Sequence, residues 1–511
     1  MTFLPDWLAR RAALHPERPA LIVAGRTYSF GELSAWADAV ARQLAALGVA
    51  PGDRVAILAH NGPAYAAVLH ATPRCGAVLV PLNTRLTPAE LAWQLADCAA
   101  TLLLYDEAHA EVAARLTETR RGGDKETASE LRVAALEDIA APTNSLPRPL
   151  APSPPRPLAL DAPHTIIYTS GTTGQPKGVV LTAGNHWWSA TASVLNLGLH
   201  EDERWLAVLP LFHVGGLAIL LRGAIYGMPV VLHERFDPLA ALRAIEADGV
   251  TIASLVAVML QRMLETGGER PWPPHFRCAL LGGGPAPQPL LERCAAQGVP
   301  VVQTYGMTET ASQAVTLAPA DALRKLGSAG QPLLPLELRI EAEGRAATTG
   351  EVGEICVRGP MVTVGYHARP EATAAALRDG WLHTGDLGYL DPEGYLYVVD
   401  RRSDLIISGG ENVYPAEIEA ALLAHPAVAE AGVVGVADPR WGQVPVAWIV
   451  PRAEAAPDVA ALLAFCRERL AAYKMPRRII VAAELPRTAS GKLRRAALRE
   501  RLDTSDSAPD V

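Results

Sequence analysis

A short apolar run, Thr165-Ile166-Ile167-Tyr168, leads directly into Thr169-Ser170-Gly171-Thr172-Thr173-Gly174-Gln175-Pro176-Lys177-Gly178. No other stretch of the chain limits its fold as tightly. The run reads as a strand. The loop behind it carries Gly171, Gly174 and Gly178, which permit backbone angles that bulkier residues resist. Ser170, Thr172 and Thr173 add hydroxyls, and Lys177 adds one mobile cation. Such a loop can aim N–H groups, hydroxyls and an ammonium at a polyphosphate. It is not a P-loop, in which Gly-Lys-Ser/Thr follows four spacer residues, because here Pro176 precedes the lysine.

The flanking sequence predicts an α/β protein. From Trp7 to about Ala100, amphipathic helical patterns alternate with apolar runs such as Arg54-Val-Ala-Ile-Leu and Ala77-Val-Leu-Val-Pro-Leu, which reads as parallel strands with helical crossovers. Residues 117–163 are polar and then proline-rich, and much of this stretch is expected to be an exposed, partly flexible connection. Alternation resumes after the loop. Between about 336 and 400 strands and turns dominate, which predicts a small β-rich subdomain. From 400 onward the pattern is α+β, with helices near 415–424 and 458–472. A chain of 511 residues needs more than one core. The predicted organisation is an N-terminal domain over 1–399, made of two α/β subdomains and the β-rich subdomain (about 336–399), then a C-terminal domain over 400–511. The junction Val398-Val-Asp-Arg-Arg-Ser-Asp-Leu places a hinge near Asp400, where polar residues between two apolar strands can absorb backbone rotation.

Charge and composition exclude several classes. A net charge of −8 argues against general nucleic-acid or membrane-surface binding. The N-terminal residues lack the basic-then-apolar order of a signal peptide. The most apolar run, Leu206 to Leu221, is interrupted by Pro210, His213, Gly215 and Gly216, so stable membrane insertion is not expected. Six cysteines without a C-x-x-C pair suggest reduced thiols and a cytoplasmic setting. Lysine occurs only at 125, 177, 325, 474 and 492 among many arginines. Arginine substitutes for lysine on a solvated surface, but not where a compact ammonium must reach one oxygen. That singles out Lys177 and Lys492 as functional candidates.

Further constellations accompany the loop. Gln303-Thr-Tyr-Gly-Met-Thr-Glu-Thr-Ala follows an apolar strand and offers Glu309, a carboxylate suited to a hard cation that bridges phosphates. Gly282-Gly283-Gly284-Pro285 is a turn that allows close backbone approach to a flat ring. Gly380-Trp-Leu-His-Thr-Gly-Asp-Leu-Gly, Asp400-Arg401-Arg402-Ser403-Asp404 and Pro486-Arg-Thr-Ala-Ser-Gly-Lys492 complete the set.

Taken together, these motifs resemble those of the adenylate-forming (AMP-binding) acyl-CoA synthetase superfamily, from Tyr168 to Lys492. The resemblance implies ATP, Mg2+ and coenzyme A as co-substrate. It assigns ATP/AMP binding to Thr169, Ser170, Gly171, Thr172, Thr173, Gly174, Lys177, Gly283, Gly284, Tyr305, Gly306, Thr308, Asp386 and Arg401. Tyr305 would stack on adenine, Asp386 would hold the ribose hydroxyls, and Glu309 would bind the metal. Catalysis would rest on Lys492, Lys177, Thr308 and Glu309. The C-terminal domain would be a mobile lid that pivots at Asp400, with Ser408, Gly409 and Gly410 lining a pantetheine tunnel.

Within that superfamily, Asn185-His-Trp-Trp, Trp205-Leu-Ala-Val-Leu-Pro-Leu-Phe-His213 and Gly409-Gly-Glu-Asn-Val-Tyr-Pro look like the o-succinylbenzoate–CoA ligase family of menaquinone biosynthesis. That acid carries a second carboxylate, so its pocket should hold a cation or strong donors. The segment Gly215 to Met228 is apolar except for Arg222 and the Tyr226 hydroxyl. A buried arginine needs an anion or acceptors. Arg222 is therefore expected to face the benzoate carboxylate, with His213 and Gly282 lining the acyl pocket. The competing expectation is that Arg222 pairs with a structural Asp or Glu, or sits on the exposed side of its helix. A medium-chain or aryl acid CoA ligase, and a stand-alone adenylation enzyme that loads a carrier protein, stay open as alternatives. The expected partners are a small carboxylic acid, ATP and CoA, and a homo-oligomer is compatible with the sequence.

Overall fold

The computed structural model describes residues 2–121, 131–140, 157–169, 176–283, 286, 288–321, 324–400, 406–452, 458–486, 493 and 495–505. The chain divides into two compact units. One comprises Met1–Thr84, Leu95–Tyr168 and Gly178–Val399, and the other Arg85–Gln94, Thr169–Lys177 and Asp400–Val511.

Two mainly parallel sheets organise the first unit. One has the order Gly365–Tyr366, Lys177–Thr182, Pro163–Thr169, Val78–Pro81, Arg54–Leu58, Leu102–Tyr105 and Arg132–Ala135. Val55, Ala56, Ile57 and Leu58 are all buried, so the strand reads as a continuous apolar run rather than an alternation, as parallel strands covered on both faces do. The second sheet has nine strands. Its parallel centre runs Val301–Met307, Cys278–Leu281, Ile252–Leu255, Trp205–Ala207, Val230–Leu232 and Pro19–Val23, with antiparallel strands at both edges. Helices cover the sheets. The helix Phe30–Ala46 starts at a capping box in which Ser29 and Glu32 each satisfy the other's backbone N–H, and it turns Phe30, Leu33, Trp36, Ala37, Val40 and Leu44 into the core.

A third sheet in this unit is antiparallel, with strands Arg345–Ala346, Glu337–Ala342, Gly353–Arg358, Trp381–Leu390, Leu377–Arg378 and Leu396–Asp400. It is the β-rich region read from the sequence. Two short strands fall inside 117–163, much of which the sequence assigns to an exposed connection. Within it, Arg132–Ala135 is the edge strand of the seven-stranded sheet, paired in parallel with Leu102–Tyr105, and Leu158–Ala159 pairs with Phe3–Leu4. The strand was missed because a four-residue edge strand buries too little to show an apolar run; all four of its residues are half-buried.

The second unit is built on a five-stranded sheet, in which Gly442–Pro451 lies between Ile406–Ser408 and Val428–Asp438 and also pairs in parallel with Arg478–Val481. Ile418 and Leu422 of the helix Pro415–Leu423 and Leu462 and Cys466 of the helix Val459–Arg467 pack into its core. Lys474 is buried here and donates to Glu417 at 2.6 Å. All six cysteines are free. Among the described residues no helix is long and apolar enough to cross a membrane.

Candidate active site

In the first unit, the candidate site is built on a strained turn. The strand Val301–Met307 ends in the short 3-10 turn Thr308–Thr310, and the chain reverses into Ser312–Thr316. Ala311 has φ 51° and Ser312 φ 103°, left-handed values that side chains other than glycine resist. Thr310 secures the reversal. Its Oγ1 accepts the Met307 N–H at 3.0 Å and lies 3.0 Å from the Met307 carbonyl and 3.1 Å from the Ser312 carbonyl. A register shift falls between Tyr305 and Gly306. A Cβ at Gly306 would lie 1.8 Å from the Ser312 carbonyl oxygen, so only glycine fits there.

This strand end and turn carry four of the residues singled out by sequence, Tyr305, Gly306, Thr308 and Glu309. Tyr305 is buried, and its hydroxyl donates to Asp386 Oδ2 at 2.8 Å. The residues assigned to the adenine and the ribose are thus brought together across the first unit. Asp386 is in turn set by its surroundings: its N–H donates to Thr384 Oγ1 at 3.1 Å, and the neighbouring Gly385 N–H donates to Glu354 at 2.9 Å. Glu309 is buried, with Oε1 accepting the Tyr366 hydroxyl at 3.0 Å and its carbonyl accepting the Thr363 N–H at 2.7 Å. Oxygen donors of this kind are what Mg2+ takes, so the chemistry of this held carboxylate fits that ion. Tyr366 and Thr363 escaped the sequence reading because neither lies within a motif.

The other positions fall as follows. Gly283 has φ 81° and is exposed, and a Cβ at Gly282 would meet Thr304 Cγ2 at 2.9 Å. Thr169 closes one strand and Lys177 opens the next, both half-buried. In the second unit, Ser408 is buried, and Gly409 and Gly410 have φ 59° and 85° in the hairpin turn that joins Ile406–Ser408 to Glu411–Val413. The turn alone calls for two such glycines. A Cβ on Gly409 would also sit 2.7 Å from the Trp441 ring. Asp400 ends the strand Leu396–Asp400. Ser170, Gly171, Thr172, Thr173, Gly174, Gly284, Arg401 and Lys492 lie outside the described residues.

Of the acyl-pocket candidates, Arg222 lies on the helix Val214–Tyr226, His213 is its N-cap, and Gly282 follows the strand Cys278–Leu281. Arg222 is 2 % exposed. Its Nη2 donates to Ser189 Oγ at 3.4 Å, and its guanidinium carbon lies 5.4 Å from the centre of the Trp205 ring. Its Nε has no hydrogen-bond partner, and among the described residues no carboxylate pairs with it. Burial lowers its pKa, opposed by Tyr226. Ser189 in turn donates to the Ala311 carbonyl at 2.7 Å, so one hydroxyl links the guanidinium to the end of the Glu309 turn. His186, whose imidazole is held neutral by burial and by His164 and Arg222, bonds Thr165 at 3.0 Å. His213 is exposed at the N-terminal end of the helix, nine residues before Arg222. Nine residues rise roughly 13 Å along a helix, so the two stand about two and a half turns apart.

A model of the AMP-binding enzyme family matches residues 8–367, and one of the AMP-binding enzyme C-terminal domain matches residues 417–492. The chain belongs to the AMP-binding enzyme family. Within it, a 2-succinylbenzoate–CoA ligase from Geobacillus kaustophilus is 54% identical over 499 residues, 98% of each chain. Two solved structures of o-succinylbenzoate CoA synthetase (MenE) from Bacillus subtilis are also similar. A double mutant bound with the product analogue OSB-NCoA has a TM-score of 0.90 at 47% identity, covering 98% of this chain and 99% of that one. The complex with ATP and magnesium ion has a TM-score of 0.73 at 46% identity, covering 98% and 100%.

Proposed function

We propose that this chain joins o-succinylbenzoate to coenzyme A through an acyl-adenylate, using ATP and releasing AMP and pyrophosphate. The observation that carries the reading is the whole-chain similarity to 2-succinylbenzoate–CoA ligases, at 54% identity over 98% of both sequences. Arg222, buried without a carboxylate partner among the described residues, supports the choice of a dicarboxylic acid.

The chemistry divides into two displacements. A substrate carboxylate oxygen attacks the α-phosphorus of ATP, and the bond to the β-phosphate oxygen breaks as pyrophosphate leaves. The CoA sulfur, having lost its proton, then attacks the acyl carbonyl, and AMP leaves with the bonding pair. The first step brings anions together, so positive charge must be in place beforehand. In this reading Lys177 and Lys492 supply it, Thr308 lies near the α-phosphate, and Glu309 holds Mg2+, whose charge offsets that on the phosphate oxygens. Tyr305 and Asp386 fix the nucleoside, and catalysis is largely positioning. Asp400 serves as the hinge of the C-terminal domain, and Ser408, Gly409 and Gly410 border the thiol's path. Small residues there suit the approach of a thin pantetheine arm. ATP and CoA are cytoplasmic metabolites, which makes the cytoplasm the proposed place of action.

The test is a panel of carboxylic acids scored for CoA-thioester formation and for ATP–pyrophosphate exchange. o-Succinylbenzoate is expected to give the highest kcat/KM. Faster turnover of a medium-chain fatty acid or of benzoate would overturn the substrate. Absence of exchange with every acid would overturn the chemistry.

A further inference from the structure

We propose that His60, Asp106 and His109 form a binding site for a divalent transition-metal ion of the zinc class. The three residues lie in the first unit, and none of them belongs to the motifs of the candidate site. The strands Arg54–Leu58 and Leu102–Tyr105 are parallel neighbours with Leu58 opposite Tyr105, so they end side by side at the C-terminal edge of their sheet. His60 follows the first and Asp106 the second. A 3-10 turn, Glu107–His109, then brings His109 back, its N–H donating to the Asp106 carbonyl at 2.9 Å.

The Asp106 carboxylate is fixed at the centre of the group. Its Oδ2 accepts the His60 backbone N–H at 2.8 Å and lies 3.1 Å from His60 Nδ1, while its Oδ1 meets His109 Nδ1. The imidazole centres are 4.8 Å apart, and one ligand atom from each of the three residues lies within 4.8 Å of the others. A zinc ion bound at roughly 2.1 Å draws its ligands closer than that, and rotation of the exposed His60 ring closes the remaining spread. The donor set decides the ion. Two imidazoles and a carboxylate suit Zn2+, Co2+ or Ni2+, whereas Mg2+ and Ca2+ prefer oxygen alone. Among the described residues no lysine or arginine pairs with Asp106, and the nearest charged groups along the chain include Glu107, whose N–H donates to Glu137 at 3.3 Å. The His60 side chain is 45% exposed, which leaves a route for the ion and a coordination position for water.

A second cluster, Glu341, Cys356 and His383, is a weaker candidate. Arg339 is 2.9 Å from Glu341, and Arg378 is 3.6 Å from Glu354, the carboxylate partner of His383. Cations thus already flank its carboxylates.

The test uses the tag-free full chain, treated with chelator, without nucleotide, and titrated with zinc chloride by calorimetry. Co2+ substitution, followed by its visible d–d bands, reports the ligand geometry. One equivalent of zinc is expected, bound at least tenfold more weakly by His60→Ala and His109→Ala and unchanged in Cys356→Ser. Because His60 is exposed, His60→Ala tests the site even where His109→Ala fails to fold. The proposal is overturned by an absence of zinc binding, by equal affinity in the wild type and His60→Ala, or by loss of the equivalent in Cys356→Ser alone.

Discussion

Lysine scarcity marks both chemistry and architecture in this chain. Of five lysines, Lys325 bonds Asp391 at 2.7 Å and Lys474 bonds Glu417 at 2.6 Å, both from buried positions, so each is held by the structure where it stands. Scarcity alone therefore does not separate a functional lysine from a buried ion-paired one, and the motif around Lys492 does the sorting. Lys492→Ala is expected to slow adenylate formation by roughly 10²-fold or more, the scale of removing one preorganised charge. Thioester formation from supplied acyl-adenylate should survive. Single-turnover assays of the two half-reactions check this, and equal losses in both would contradict the role. Arg222 calls for a different comparison. A charge-assisted hydrogen bond contributes about 1.5–3 kcal/mol, so Arg222→Ala should lower kcat/KM for o-succinylbenzoate roughly 10- to 100-fold more than for a monocarboxylic analogue. Equal losses on both acids would instead mark Arg222 as a support of the Ser189–Ala311 link.

At the scale of elements, the turn after Val301–Met307 concentrates the backbone constraints of the site. Gly306 is required by close approach, because any Cβ there runs into the Ser312 carbonyl, a backbone atom that cannot rotate away. Gly306→Ala is expected to destabilise the protein by about 1–3 kcal/mol, the usual range for an overpacked position. Pyrophosphate exchange should fall further than stability does, since Tyr305 and Glu309 flank the same reversal. Chemical denaturation paired with an exchange assay measures both, and an unchanged midpoint would show that the strand pair relaxes freely. The motif here was legible in sequence because its residues are contiguous. Tyr366 was not, since it reaches Glu309 from 57 residues away with no shared pattern.

At the scale of the whole molecule, buried histidines tie stability to pH. Burial is the main cause that pushes His70 down to about 3 and His164 down to about 4, and it lowers His186 as well. An unfolded histidine takes up its proton near pH 6.5. Below that pH the unfolded chain binds protons that the folded chain refuses, until the folded pKa is reached. Stability contributed by these groups is therefore complete above about pH 6.5 and falls as the solution is acidified. The decline is at most about 1.4 kcal/mol per pH unit for each histidine. Thermal unfolding at pH 7.5 and pH 5 should show a lower midpoint at pH 5, with a smaller drop in His164→Asn. An identical drop in that variant would remove His164 from the account.

The order of residues by itself determined the α/β class, the β-rich region near 336–399 and the contiguous motifs. Periodicity and loop chemistry are local properties, set by neighbours along the chain. Tertiary structure alone decided that Tyr305 meets Asp386 across 81 residues, that Arg222 reaches the Glu309 turn through Ser189, and that His60 and His109 converge on Asp106. Those contacts depend on which strands lie side by side and where they end. That is fixed by sheet order and helix packing, which act between segments that carry no mark of each other in the sequence.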